Sequence, residues 1–427
     1  MADYIEEKKT VAVEKSQLQI KALEHFNRLG IPTTKNENYK YTNLPLFIPK
    51  ENLFSENKTN KVDVDALLIQ FPFLKNSNYI ILDNGNFNET LNSVPGSKGI
   101  SVSAISGKET HPLVKEHFSK YIDFNSHSLA ALNVAQMKTG TFIHVAPKHN
   151  EEKPLYIINV SSNENSVSHP HLLIVAESNS KISVAFITVN QTSNQKTIAN
   201  PVNEIVVMEN AYVEFDFIQL DGNEATQVSH TYSYQKKNSV FDINTITLGG
   251  KMIRNNLNIM MDDERCESHL NGLYITNGTQ HVDNQTSVYH AKPNCQSNEL
   301  YKGILDDNST GVFNGRIFVL KDAQKTNAYQ SNKNVILSDN ANMYAKPQLE
   351  IFADDVKCSH GATTGQLDDD ALFYLRSRGI GEQNAKALLN FAFASDVVEK
   401  INIEPLKHSL LKNLAVKLNS QIEFEAE

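Results

Sequence analysis

The densest group of reactive side chains lies in Asp354-Asp-Val-Lys-Cys358-Ser-His360-Gly-Ala-Thr. On a strand, positions two apart project to the same face, so the Cys358 thiol and the His360 imidazole would stand side by side. Such a pair suits a soft or borderline metal such as iron. It would equally suit a nucleophile and its base. The alternative is a packed cysteine and a hydrogen-bonded histidine at the end of a sheet. Asp262-Asp-Glu-Arg-Cys266-Glu-Ser-His269 also holds metal-competent groups, but its run of charges reads as a solvated turn. Cys295 reads as a small packed residue. His281 and His290, which flank Asp283-Asn-Gln-Thr, read as hydrogen-bonded structural residues.

Several chemistries lack their motifs. Gly249-Gly-Lys-Met has neither the first glycine nor the hydroxyl of a phosphate-binding loop, so the chain is not expected to hydrolyse ATP. His-Glu-x-x-His, Gly-x-Ser-x-Gly and Cys-x-x-Cys do not occur. The 3 cysteines, widely spaced, cannot hold a four-cysteine cluster in one copy, nor do they form a secreted disulfide framework. The 427 residues carry a net charge of -9, which argues against sequence-independent nucleic-acid binding. No apolar run reaches the ~20 residues of a membrane span, and Met1-Ala-Asp-Tyr-Ile-Glu-Glu-Lys-Lys has no apolar targeting core. A cytoplasmic protein without membrane or nucleic-acid partners is expected.

The elements that must position Cys358 and His360 fall into three regions. Residues 1–138 read as a mixed, largely helical domain. Leu18, Ala22, Phe26 and Leu29 make one helical stripe, ended by Gly30 and Pro32, and Ser128-Leu-Ala-Ala-Leu-Asn-Val-Ala suggests a short second helix. Residues 139–365 alternate apolar and polar in short runs such as Lys181-Ile-Ser-Val-Ala-Phe-Ile-Thr-Val, joined by Asn-, Asp-, Ser- and Gly-rich turns. No helix-length pattern interrupts them, which excludes a doubly wound α/β fold. Asn271-Gly272-Leu-Tyr-Ile and Asn314-Gly315-Arg-Ile-Phe are each followed, at one spacing, by Asp283-Asn-Gln and Thr326-Asn-Ala. Two coils of roughly 20–25 residues would give that spacing, which favours a β-solenoid over a sandwich. Abundant turn asparagines fit laddering between coils. Asn-Gly is also a common turn dipeptide. Residues 366–427 return to helix, opened by Asp368-Asp-Asp, with Leu406, Leu410, Leu414 and Leu418 stepping by four. This tail is expected to cap a solenoid end and to dock a partner.

The stretch Asp355-Val-Lys-Cys-Ser-His-Gly-Ala-Thr-Thr-Gly-Gln-Leu-Asp-Asp-Asp-Ala-Leu-Phe-Tyr-Leu-Arg-Ser-Arg-Gly-Ile380 resembles the SufB/SufD family of iron–sulfur cluster assembly proteins. So do His281-Val-Asp-Asn-Gln-Thr, Phe313-Asn-Gly-Arg-Ile-Phe-Val and Ala323-Gln-Lys-Thr-Asn-Ala-Tyr-Gln. Gly30-Ile-Pro-Thr and Tyr39-Lys-Tyr-Thr42 also fit, with Tyr39 where a tryptophan is more usual. Gly361, where the SufB branch carries Glu, places the chain nearer SufD. The resemblance implies a mainly β fold: a right-handed parallel β-helix with helical segments at both ends. It implies a non-catalytic scaffold that pairs with a SufB-like paralogue and docks a SufC-like ATPase through the C-terminal helices; a homodimer of the isolated chain is a further reading. His360 and its neighbour Cys358 are then candidates for contact with iron or a transient iron–sulfur cluster at the SufB interface. Phe373, Tyr374, Arg376, Arg378, Leu388 and Phe393 are candidates for ATPase docking. A reduced flavin in the complex also follows from the resemblance, although the sequence offers no flavin motif. The rival readings are a SufB-like chain that holds the cluster itself and a β-helix carbohydrate-active enzyme.

Overall fold

The computed structural model describes residues 16–49, 53–54, 61–94, 99–106, 111–192 and 195–420. The Met1-to-Lys9 stretch read above for targeting signals lies outside them, as does the chain after residue 420. Among the described residues, strands form one sheet of 10 and one of 12. Strands Val240–Thr247, Glu267–Thr276 and Gln296–Leu305 stack in parallel in the first. Met252–Met261, His281–His290 and Thr310–Val319 stack in parallel in the second. The chain alternates between the sheets through short corners, which makes a parallel β-solenoid of about 8 turns. This is the parallel β-helix core expected from the sequence.

The repeat differs from the expectation. Stacked partners are 29 residues apart, as from Asn255 to Asn284 and from Gln285 to Asn314. Asn271 belongs to the first sheet and Asn314 to the second. The sequence similarity between them therefore spans one and a half coils, not two short ones. Gly272 also lies within a strand rather than in a turn.

The corners explain the asparagines. Asn179, Asn210 and Asn238 hold positive φ at successive corners, a conformation that asparagine tolerates better than most residues. Their amides ladder: Asn210 donates to Asn179 at 3.2 Å and Asn238 to Asn210 at 2.9 Å. The solenoid interior is packed with Ile157, Val184, Phe186, Phe215, Phe217 and Phe241, among others.

Helices cover both outer faces, so central strands such as Leu155–Ser161 and His171–Ala176 are buried on both sides. Helix Gln17–Leu29 ends at Gly30 (φ 69°), as its sequence predicts, and starts at a Ser16–Gln19 capping box. Tyr39 and helix Ser128–Gln136 pack with Val228 and Met252 on the 12-stranded sheet. Residues up to 138 also supply strands. Asn78–Asp83 runs parallel to Leu155–Ser161, and antiparallel Asn86–Phe87 and Ile100–Ile105 begin the two sheets at the solenoid's N-terminal end.

The C-terminal helices do not cap the other end, contrary to the expectation from sequence. Helices Glu382–Val398 and Glu404–Lys417 lie on the outer face of the 10-stranded sheet, where Val397, Leu406, Leu410 and Leu414 pack with Ile246, Leu273 and Ile304. Buried Lys302 reaches out from the sheet to Asp396 (2.7 Å) and the Phe393 carbonyl (3.0 Å). The apolar stripe is consumed by this face, and among the described residues no helix covers the last coil.

Candidate functional site

The 10-stranded sheet ends in strand Lys357–Gly365, which pairs with Asn327–Ile336 on one side only. From Ser359 to Gly365 every residue is exposed. Its free side is an open row of backbone donors and acceptors. The 12-stranded sheet ends at the same coil, in Asn342–Ala345 and Gln348–Ile351.

Cys358 is in register with buried Ala328, and His360 with buried Gln330. Both therefore continue columns that face the solenoid interior, on one side of the strand, as their spacing predicts. Cys358 is half-buried against the interior cluster, and this burial raises its thiol pKa. His360 is exposed at the mouth.

The interior changes character towards that mouth. The column below His360 runs Ile243, Leu270, Glu299, Gln330. Its two apolar members give way to two polar ones in the last coils. Gln330 donates to the Glu299 carboxylate at 2.6 Å, and burial pushes the Glu299 carboxyl up to about 7. Nearby, Asn334 donates to Asn332 at 2.8 Å and Tyr274 donates to Asn334 at 2.5 Å. A buried polar column must satisfy itself in this way, because unpaired buried groups are costly. These residues were missed at the sequence level. Their signal was the polar residues at inward positions of otherwise apolar columns, which is readable only once the 29-residue register is known.

A groove of about 710 Å³ opens on the outer face of the same sheet. It runs from Asp242 and His269 past Tyr329 to Ser359 and His360, with Lys400 and Asn402 as its far wall. Beneath that wall the Asn402 amide donates to the buried Glu214 carboxylate at 2.7 Å. Among the described residues, no three His, Cys, Asp or Glu side chains are grouped so as to hold a metal ion. Cys358 and His360 alone do not complete a metal site.

His281 and His290 are buried, hydrogen-bonded residues, as expected. His281 shares a 2.9 Å hydrogen bond with Thr42, and His290 one of 2.9 Å with Ser297. Cys295 is packed as expected, but Cys266, read as part of a solvated turn, is buried against it.

The residues proposed for partner contact divide into two groups. Helix Asp369–Ser377 buries none of its residues. On it Phe373 is 74% and Tyr374 57% exposed. The Arg378 guanidinium lies 5.1 Å from the Tyr374 ring centre, and Arg376 lies 3.7 Å from Glu382. Leu388 and Phe393 are half-buried on the next helix, and the Phe393 ring faces Lys302 at 4.5 Å.

Comparison with known proteins covers most of the chain. Residues 2–157 match the family model "SufBD protein N-terminal region", and residues 158–393 match "SUF system FeS cluster assembly, SufBD core domain". The chain is 28% identical to the iron–sulfur cluster assembly protein SufD of Escherichia coli, over 93% of this chain and 91% of that one. It is 26% identical to the Bacillus subtilis protein of the same name, over 94% and 93%. A Synechocystis SufBD family protein is 29% identical, over 91% and 88%. No described helix is long and apolar enough to cross a membrane.

Proposed function

The chain belongs to the SufBD family of SUF-system iron–sulfur cluster assembly proteins, and from that membership we propose that it is a SufD-type, non-catalytic scaffold. In this reading it pairs with a SufB-like paralogue and carries a SufC-like ATPase, within the cytoplasm. The observation that supports it is the bare strand Lys357–Gly365, nine residues with an unpaired edge and Cys358 and His360 near its start. A second solenoid can extend both sheets across that end by strand addition. Iron or a nascent cluster is the cargo at the seam. With only one thiol and one imidazole on this side, the remaining ligands come from the paralogue.

Helix Asp369–Ser377, with its exposed Phe373, Tyr374, Arg376 and Arg378, offers the ATPase an apolar and cationic face. The helix follows the edge strand after a short connector. A movement of the docked ATPase is thereby passed to the strand that carries His360, provided that ATP favours one ATPase arrangement over the other.

The test is co-expression with the SufB-like and SufC-like chains of the same genome, followed by mass measurement of the purified complex. One copy of this chain with one SufB and two SufC supports the scaffold. A lone homodimer that ignores the ATPase overturns it. In the assembled complex, H360A should retain the stoichiometry and lose cluster formation.

A further inference from the structure

Cys266 and Cys295 each follow a corner residue of positive φ, Arg265 and Asn294, and each opens a strand of the same sheet. They lie one coil apart and directly stacked: Glu267 pairs with Gln296, and the Gln296 amide donates to the Cys266 carbonyl at 2.9 Å. Both thiols reach the same acceptor, the Asp263 carbonyl, each at 3.2 Å. Neighbouring parallel strands are about 4.8 Å apart, inside the ~4.4–6.8 Å Cα separation that a disulfide spans. Both cysteines are free and buried. His290 adjoins the pair. Its Nε2 is engaged with Ser297, and its Nδ1 has no hydrogen-bond partner. The Cys266 thiol and the His290 imidazole both favour the Cys295 thiolate, while the same contact keeps Cys266 protonated. Cys295 is thereby assigned the nucleophile's role and Cys266 that of the resolving thiol; with the two residues 0% and 1% exposed, peroxide reaches them through local opening of the corner.

We propose that Cys266 and Cys295 form a peroxide-oxidisable pair that closes to an inter-coil disulfide. The Cys295 sulfur attacks one oxygen of hydrogen peroxide, the O–O bond breaks, and a sulfenic acid forms with loss of water. The Cys266 sulfur then attacks the Cys295 sulfur. The S–O bond breaks, a second water leaves with the Cys266 proton, and the S–S bond forms. Two thiols have lost two electrons to one peroxide. Cys358, on the edge strand, is separate from this pair.

The full-length chain, reduced and then exposed to hydrogen peroxide, is labelled with N-ethylmaleimide and digested with trypsin. Both cysteines leave on one fragment, cut after Arg265 and Lys302, because Lys292 precedes Pro293. The expected fragment carries no label and is lighter by two hydrogens; dithiothreitol restores both labelling sites. C358S gives the same result. C266S leaves a sulfenic acid at Cys295 that dimedone traps. A fragment that keeps both labels after exposure, or that gains oxygen without losing both thiols, overturns the proposal.

Discussion

Gln330 stands directly over Glu299 in the solenoid interior, and its amide donates to the Glu299 carboxylate at 2.6 Å, one coil below His360. The carboxyl is almost fully buried, and burial raises its folded-state pKa from 4.5 to about 7. For a raised carboxyl, the stability contribution is fully present below the unfolded pKa and is lost as pH rises through the folded one. Denaturant stability should thus fall between about pH 4.5 and 7. Glu299 accounts for about 3 kcal/mol of that fall at most. Buried Asp221, raised to about 6, acts in the same direction. E299Q, which keeps the hydrogen-bonded shape without the charge, should be more stable than the parent at pH 8 and match it near pH 4.5. Parallel curves for the two proteins would remove Glu299 as the cause.

A second buried charge anchors the N-terminal segment. The Arg254 and Asp283 side chains are each 1% exposed and form an ion pair on the 12-stranded sheet. The Tyr39 ring covers the guanidinium at 3.8 Å, and the Thr42 hydroxyl donates to Asp283 at 2.5 Å. Tyr39-Lys-Tyr-Thr is the segment whose pattern stood out in the sequence, and a flat ring over a guanidinium is a role tyrosine shares with tryptophan. Removing one partner strands the other charge. D283A should therefore cost about 3–5 kcal/mol, read as a shift in the urea midpoint. Y39W should be tolerated and Y39A not.

These cases show what was legible. The alternating runs announced strands, and the missing helices between them excluded an α/β fold. The Cys358–His360 spacing put both residues on one face, and the register bears this out. The coil length was not legible, because sequence similarity between Asn271 and Asn314 compares opposite sheets, where corners and strand lengths match by accident of the half-turn. Without the register, Glu299, Gln330, Asn332 and Asn334 could not be seen as one interior group. Cys266 looked solvated because its neighbours Asp262, Asp263 and Glu264 are charged, yet the corner turns its side chain inward. The placement of the C-terminal helices was hidden for another reason: an apolar stripe says that a face is covered, not which surface covers it.

Gly272 gives a compact test of the register. Its position opposes Tyr301 in the next coil, and a Cβ there would come within 2.2 Å of the Tyr301 ring. Tyr301 is itself buried, so the ring cannot swing into solvent. G272A should cost about 1–3 kcal/mol by overpacking, measured by chemical denaturation. The companion Y301L should reduce that cost in a double-mutant comparison, because the clash partner has been shortened. An additive pair would place Gly272 and Tyr301 out of contact.

The last prediction separates folding from partner binding. Phe373 is largely exposed and helix Asp369–Ser377 buries no side chain, so F373E should change stability by less than about 0.5 kcal/mol. If the helix is the ATPase dock, the same change places a carboxylate in an apolar contact and should abolish co-purification with a SufC-like chain while leaving pairing with a SufB-like chain intact. Charge reversal at Lys386, on helix Glu382–Val398, should weaken ATPase stimulation if that helix shares the contact. Phe393 behaves differently, because its ring and carbonyl engage Lys302 and help to seat the helix on the sheet. F393A should lower stability, and any loss of ATPase binding should follow from that. Full retention of the ATPase by F373E at normal stoichiometry would falsify the docking assignment and move the contact to the longer helix.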